Sequence, residues 1–235
     1  MILIRRLTIL VALALVMFTT PLAADSIWRR AVELYNDGTT WAAGRMQFES
    51  NEYDGRGNTR NTESSVYAIR YRGDELDAEI VSVVRNGRDI TSERRENPTY
   101  QSGRSFEGTF DGFGQSPLDR DVQDVVSIEY AGPDVLNGAV SHLYRYRMTA
   151  EAATTVGTVW IEADSGAPVR ISARPESLPR FVDSIEILQE FKKTETGAPV
   201  VSHVLIDASG RFLLIRRRFV VQVEFAQYSP RADGR

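Results

Sequence analysis

The sequence predicts a mainly β protein: one curved antiparallel sheet around an apolar hollow, with a helix at its start and a long excursion at its centre. Three observations predict it. Apolar and polar residues alternate along many short runs, which is the period of a strand with one buried face. Turn-forming pairs separate these runs at short intervals, as in antiparallel sheets rather than βαβ units. Only one segment carries a clear helical stripe of apolar residues.

The first 24 residues read as a secretory signal peptide. Arg5 and Arg6 supply the positive start, Leu7 to Phe18 is apolar, Thr19-Thr20-Pro21 breaks the run, and Ala23-Ala24 offers small residues for cleavage near Ala24. The apolar run is shorter than the ~20 residues of a spanning helix. The expected product is a single exported domain, residues 25–235, in a bacterial periplasm. It has no cysteine, which suits an oxidising compartment. That absence excludes disulfides, thiolate metal sites, a cysteine nucleophile and a cysteine-linked lipid anchor. A net charge of −4 argues against a nucleic-acid partner.

Asp25 or Ser26 can cap the one helix, in which Ile27, Ala31 and Leu34 recur at helical spacing beside Trp28, Val32 and Tyr35. Asn36-Asp37-Gly38 stops it. Its stripe must lie on something, and the sheet is what the sequence offers. Strand runs follow at Trp41 to Phe48, Ser65 to Tyr71 and Ala78 to Val84, and Asn86-Gly87 turns the third toward a partner at Asp89 to Thr91. They resume at Val125 to Tyr130, Ser141 to Met148, Val156 to Ile161, Val169 to Ala173 and Ser184 to Lys192. The last are Val200 to Ile206, Phe212 to Ile215 and Phe219 to Phe225, with turns at Asp164-Ser165-Gly166, Thr196-Gly197 and Ser209-Gly210. From Glu93 to Asp124 the pattern lapses. Phe106, Phe110 and Phe113 stand at helical spacing, but interleaved glycines would each cost a helix about 1 kcal/mol. A lid-like excursion carrying aromatic residues is expected, with one helical turn near Leu118 to Val126; the alternative is an insert whose phenylalanines pack onto the core.

The strand faces carry the functional clue. Phe219, Val221, Val223 and Phe225 share one face, opposite Gln222 and Glu224. Ile185, Ile187 and Phe191 oppose Glu186, Leu188 and Glu190, and Tyr67, Ile69 and Tyr71 alternate with Val66, Ala68 and Arg70. About ten strands, apolar on one side, must curl or be covered, and the predicted helices are too few to cover them. Curvature around a hollow is one solution. The same alternation suits a β-sandwich or a filled barrel, in which these residues are ordinary core.

No catalytic constellation emerges. The nucleophile elbow, the paired-histidine zinc motif and the phosphate loop are all missing. The run from Asp54 to Arg60 begins like a glycine-rich phosphate loop, lacks its third glycine, and reads as a hairpin turn. Asp119, Asp121 and Asp124 lack the glycine and glutamate of a calcium loop and read as a solvated helix start. His142 and His203 lie on strands and have the chemistry of a general base, without a motif around them. Arg216 and Arg218 share one face and Arg217 the other; they suit a soluble strand edge, or a lipid headgroup. The expectation is a protein that is not an enzyme, with no metal and no cofactor.

Three segments resemble a known family. They are the strand-turn-strand from Ile80 to Thr91, the strand, Asp-to-Pro turn and return strand from Gly157 to Arg170, and the closing strands Phe212 to Phe219 and Val223 to Tyr228. With the signal peptide, the single helix and the central excursion, they resemble the LolA/LolB-like superfamily of periplasmic lipoprotein carriers, over residues 41–228. The resemblance implies a half-barrel sheet whose helices plug the mouth of a cavity that receives acyl chains. The implied function is a monomeric carrier of lipids or lipoprotein acyl chains toward the outer membrane, with transient membrane contact and an inner-membrane transporter as partner. The alternative is a periplasmic sensor of the same fold that binds a membrane-anchored regulatory protein. The implied cavity residues are Met46, Phe48, Tyr67, Ile69, Tyr71, Trp160, Ile185, Ile187, Val204, Ile206, Leu214 and Val223, with Phe106, Phe110 and Phe113 on the lid. A one-residue slip in any strand would invert its share of this set.

Overall fold

The computed structural model describes residues 20–72, 75–96, 115–150, 153–212 and 215–231. Helix α1 (Thr20–Gly38) precedes strands β1 (Trp41–Asp54), β2 (Thr59–Arg72), β3 (Glu75–Arg85) and β4 (Arg88–Asp89). A short helix α2 (Thr91–Glu96) and a 3₁₀ turn (Arg120–Val122) lead to β5 (Val126–Leu136), β6 (Ala139–Ala150), β7 (Ala153–Glu162) and β8 (Pro168–Pro175). The chain ends in β9 (Val182–Lys193), β10 (Pro199–Phe212) and β11 (Ile215–Pro230).

All eleven strands form one open antiparallel sheet in the order β4-β3-β2-β1-β11-β10-β9-β8-β7-β6-β5. Consecutive strands are neighbours except β4 and β5, which form opposite edges, and the pairing of β1 with β11 brings the first and last strands to the middle of the sheet. Register shifts at Glu52/Tyr53, Val66/Tyr67, Tyr130/Gly132, Trp160/Ile161 and Val201/His203 bend the strands. The mainly β fold with one N-terminal helix is as expected.

Several expectations are corrected. The helix begins at Thr20, so Asp25 and Ser26 lie inside it rather than capping it, and Pro21 sits in the first turn where its missing N–H is tolerated. The return strand after Asn86-Gly87 is only Arg88–Asp89. The Asp89 carboxylate then accepts the Thr91 N–H at 2.8 Å and turns the chain into α2. Phe212 closes β10 and Ile215 opens β11, so no separate strand joins them. Ser209-Gly210 lies within β10 and is not a turn. A Cβ on Gly210 would stand 2.6 Å from the Phe181 carbonyl oxygen, so that glycine serves a close approach. Asn137-Gly138 is a further hairpin turn, with φ of 53° and 82°.

One end of the sheet's inner face is covered. Trp28, Ala31 and Val32 of α1 pack with Leu118 and Val122 onto Tyr144, Tyr146, Met148, Val159, Ile161 and Ile171 from β6 to β8. The Trp28 and Tyr144 rings lie 5.5 Å apart, and Tyr144 Oη donates to the Ala24 carbonyl at 2.8 Å. The segment around the 3₁₀ turn is pinned by its polar groups. Trp28 Nε1 donates to Gln123 at 3.0 Å, Gln123 Nε2 donates to the Pro117 carbonyl at 2.8 Å, and Asn36 Nδ2 donates to the Leu118 carbonyl at 3.1 Å. Asp119, Asp121 and Asp124 belong to this turn. Asp119 caps it through the Asp121 N–H, as its reading as a helix start anticipates.

Candidate functional site: the uncovered half of the inner face

Past β8 the apolar face continues, and among the described residues only the end of α1 reaches it, with Tyr35 against Phe191 of β9. Met46, Ile69, Ile187, Val204, Ile206 and Val223 form a second cluster, with Phe48, Tyr67, Tyr71, Ile185, Val201, Val221 and Phe225 packed against it. Register places them together. Met46 stands opposite Phe225 and Tyr67, Phe48 opposite Val223, Val204 opposite Val223, and Ile206 opposite both Val221 and Ile187. Ten of the twelve residues expected to line a cavity therefore meet on one surface. Leu214 lies outside the described residues, as do Phe106, Phe110 and Phe113.

Trp160 is a correction. Val159 and Ile161 are fully buried on the inner face, so strand alternation turns Trp160 to the outer one. There its Nε1 donates to Asp134 at 2.9 Å and holds that carboxyl below its usual range. The Arg170 guanidinium lies over its ring at 6.0 Å and pairs with Glu190, which also faces His203 Nδ1 at 3.6 Å. His142 lies on the inner face, where its Nδ1 is 3.1 Å from the Tyr130 hydroxyl. The arginine run divides as alternation predicts. Arg217 pairs with Glu52 at 2.9 Å on the inner side, and Arg218 Nε donates to Asp207 at 2.9 Å on the outer side. The turn from Asp54 closes on itself, the Asp54 carboxylate accepting the Arg56 and Asn58 N–H groups at 2.9 and 3.0 Å.

A hollow of about 300 Å³ opens where the end of α1 meets the second cluster. Tyr35, Trp41, Phe191, Val201, Phe225 and Tyr228 give it apolar walls, and Thr39, Gln189 and Arg231 bring polar side chains to it. Gly38 sets its rim, since a Cβ there would stand 1.8 Å from the Pro199 carbonyl oxygen. Burial pushes the Tyr35 and Tyr228 hydroxyls up, so both stay neutral. Tyr228 donates to the Val201 carbonyl. The edges of this hollow elude a strict alternation. Gln227 takes a left-handed φ of 58° opposite Gly44, and the pattern restarts there, so that Ala43 and Tyr228 join Met46 and Phe225 on one face. Gln189 falls on the apolar face because it pairs with Val204 and Ile171.

Among the described residues no group of acidic or histidine side chains is arranged to hold a metal, and no helix is long and apolar enough to cross a membrane.

No family model matches the chain, and no curated protein is similar to it in sequence. Solved structures similar to it include a DUF1329 family protein from Desulfovibrio piger, at 10% identity and a TM-score of 0.42, covering 89% of this chain and 93% of that one. An outer membrane lipoprotein-sorting protein domain from Vibrio parahaemolyticus is 7% identical with a TM-score of 0.39, covering 88% and 94%. The Mycobacterium tuberculosis lipoprotein LppX is 11% identical with a TM-score of 0.32, covering 90% and 100%. Each is a loosely superposed likeness of fold.

Proposed function

We propose that the protein is an exported carrier that holds a lipid or a lipoprotein acyl chain against the uncovered half of its inner face and moves it toward the outer membrane. One observation carries this reading: a continuous apolar surface on five neighbouring strands that α1 leaves open, with a hollow of about 300 Å³ at its edge. Among the described residues only the end of α1 lies against it, whereas α1 and the 115–125 segment pack over β6 to β8. Each methylene removed from water onto such a surface contributes about 0.8 kcal/mol, so one long chain binds without any polar contact. Release requires a partner that binds the lipid better or prefers an emptied state, because tight binding alone transfers nothing. An inner-membrane transporter on the donor side and cleavage of the signal peptide near Ala24 belong to the same proposal.

Native mass spectrometry of the exported protein, purified without detergent and paired with lipid extraction, tests it. Near-stoichiometric lipid is expected. Ile69→Asp and Ile187→Asp are expected to lose that lipid while staying folded. A bare protein mass with no uptake of added lipid overturns the reading, and a stable protein partner captured irrespective of lipid replaces it with the sensor.

A further inference from the structure

The hollow has one feature that an indifferent grease-binding surface does not need. Arg231, just past β11, is fixed at its wall: its backbone N–H donates to the Thr40 carbonyl at 2.8 Å, and its guanidinium lies 4.6 Å from the centre of the Tyr71 ring. Its Nε is buried without a hydrogen-bond partner. Among the described residues it pairs with no carboxylate, whereas Arg170, Arg211, Arg217 and Arg218 each do. A buried donor left unpaired is destabilising, and more so when it is charged. The planar guanidinium fork is matched by a carboxylate or a phosphate. Gln189, a second polar side chain of the hollow, has no side-chain hydrogen bond among the described residues and adds a neutral donor and acceptor. The size of the site narrows the ligand further. A volume of about 300 Å³ lies at the bottom of the range of roughly 300–1,000 Å³ for small-molecule pockets. It accommodates one slim chain and not the bundle of a multiply acylated anchor.

We infer that the hollow takes a single-chain anionic amphiphile, with its tail along Phe191, Val201, Val204 and Phe225 and its charged oxygen on the Arg231 guanidinium. This rests on the reading of the inner face as a lipid site and names the class of lipid. An anionic head supplies the acceptor that Arg231 Nε lacks. The apolar walls hold the tail whatever the head, so affinity and head selectivity belong to different residues and can be separated.

The test is titration calorimetry of the exported, delipidated protein with three probes of equal tail: oleate, oleoyl-lysophosphatidylglycerol and mono-olein. The expected result is binding of at least one anionic probe tenfold or more tighter than mono-olein. Binding of oleate alone identifies a carboxylate head, and binding of the lysophospholipid alone identifies a phosphodiester. Arg231→Gln is expected to abolish the preference while leaving mono-olein affinity within about twofold, and Arg231→Lys to restore part of it. Equal affinity for all three probes in the unaltered protein, or a preference that survives Arg231→Gln, overturns the inference while leaving the lipid reading standing. If none of the probes binds, or if Val201→Trp, which fills the hollow, leaves all of them bound, the lipid reading itself falls. Val201→Phe takes its place should the tryptophan variant lack a cooperative thermal transition.

Discussion

The two halves of the inner face are built from the same alternating strands and end as different things. From β6 to β8, Tyr144, Val159 and Ile161 are at 0% exposure, and Ile171, Tyr146 and Met148 at 2–4%, beneath α1 and the 115–125 segment. From β9 through β10, β11 and β1 to β2, Met46, Ile69, Ile187, Val204 and Ile206 keep 4–8%, and Phe48, Tyr67, Tyr71 and Phe225 around them are only half-buried. Val223, at 0%, is the exception, enclosed by neighbouring strands on both sides. The halves meet at Ala173, which packs against both clusters. Alternation alone therefore decides which side chains face inward. What differs among the described residues is what is laid over them: α1 and the 115–125 segment pack on β6 to β8, and only the end of α1 reaches β9 and β10.

That difference can be broken most sharply by cutting one large ring from each half. Tyr144→Ala removes a fully buried ring that touches Trp28 and Tyr130, and it is expected to cost about 3–5 kcal/mol. Phe225→Ala removes a half-buried ring from the open half, and about 1 kcal/mol is expected with a clear loss of lipid uptake. Urea unfolding of both variants, with uptake measured alongside, gives the answer. Equal stability losses would mean that the open half is closed core after all.

A smaller effect should come from the junction between the halves. Gly38 ends α1 against the first residue of β10, and Gly38→Ala places a methyl group inside the Pro199 carbonyl. The end of the helix must move outward, for about 1–3 kcal/mol. In a protein of this size that lowers Tm by roughly 2–4 °C per kcal/mol. The same shift widens the mouth of the hollow, so ligand release should quicken. A variant with a lowered Tm and unchanged release would uncouple α1 from the hollow.

The sheet was legible in the sequence because its signals are local. Asn86-Gly87, Thr196-Gly197 and the turn from Asp54 each need only the backbone freedom of one or two residues, and each is a turn, with φ of 79°, 88° and 83° at Gly87, Gly197 and Gly57. The ten cavity residues that meet were legible for the same reason, since period two fixes a face. What was not legible depends on distant partners. Trp160 was misplaced because its side follows from Val159 and Ile161, whose burial under α1 the strand itself does not announce. Gly210 looked like a turn because an approach by the Phe181 carbonyl leaves no mark in the sequence beside it. Gln189 shares the parity of Ile187 and Phe191 but was passed over as polar, and Arg231 was missed because it stands in a polar stretch past the last strand, where only the fold brings it beside Tyr71.

The outer face offers the smallest effect and a check on sign. The Arg218 guanidinium donating to Asp207 holds that carboxyl below its usual range, and Lys193 and Ser165 do the same for Glu162. A carboxyl depressed in the folded state lends stability that is present above its unfolded pKa and is lost as pH falls through the folded value. These pairs therefore weaken below about pH 4. Both are part-exposed and screened, so Asp207→Asn is expected to cost less than about 1 kcal/mol at pH 7. The cost should shrink as pH falls below about 4, toward the depressed folded value at which the unaltered protein also loses the charge. Urea unfolding of the two proteins across pH 7 to 2 measures this. A difference that does not shrink as pH falls would mean that Asp207 acts through packing on the outer face rather than through its charge. Lipid affinity at pH 7 should be untouched by the change, because Asp207 points away from the hollow that Val204 and Ile206 of the same strand face.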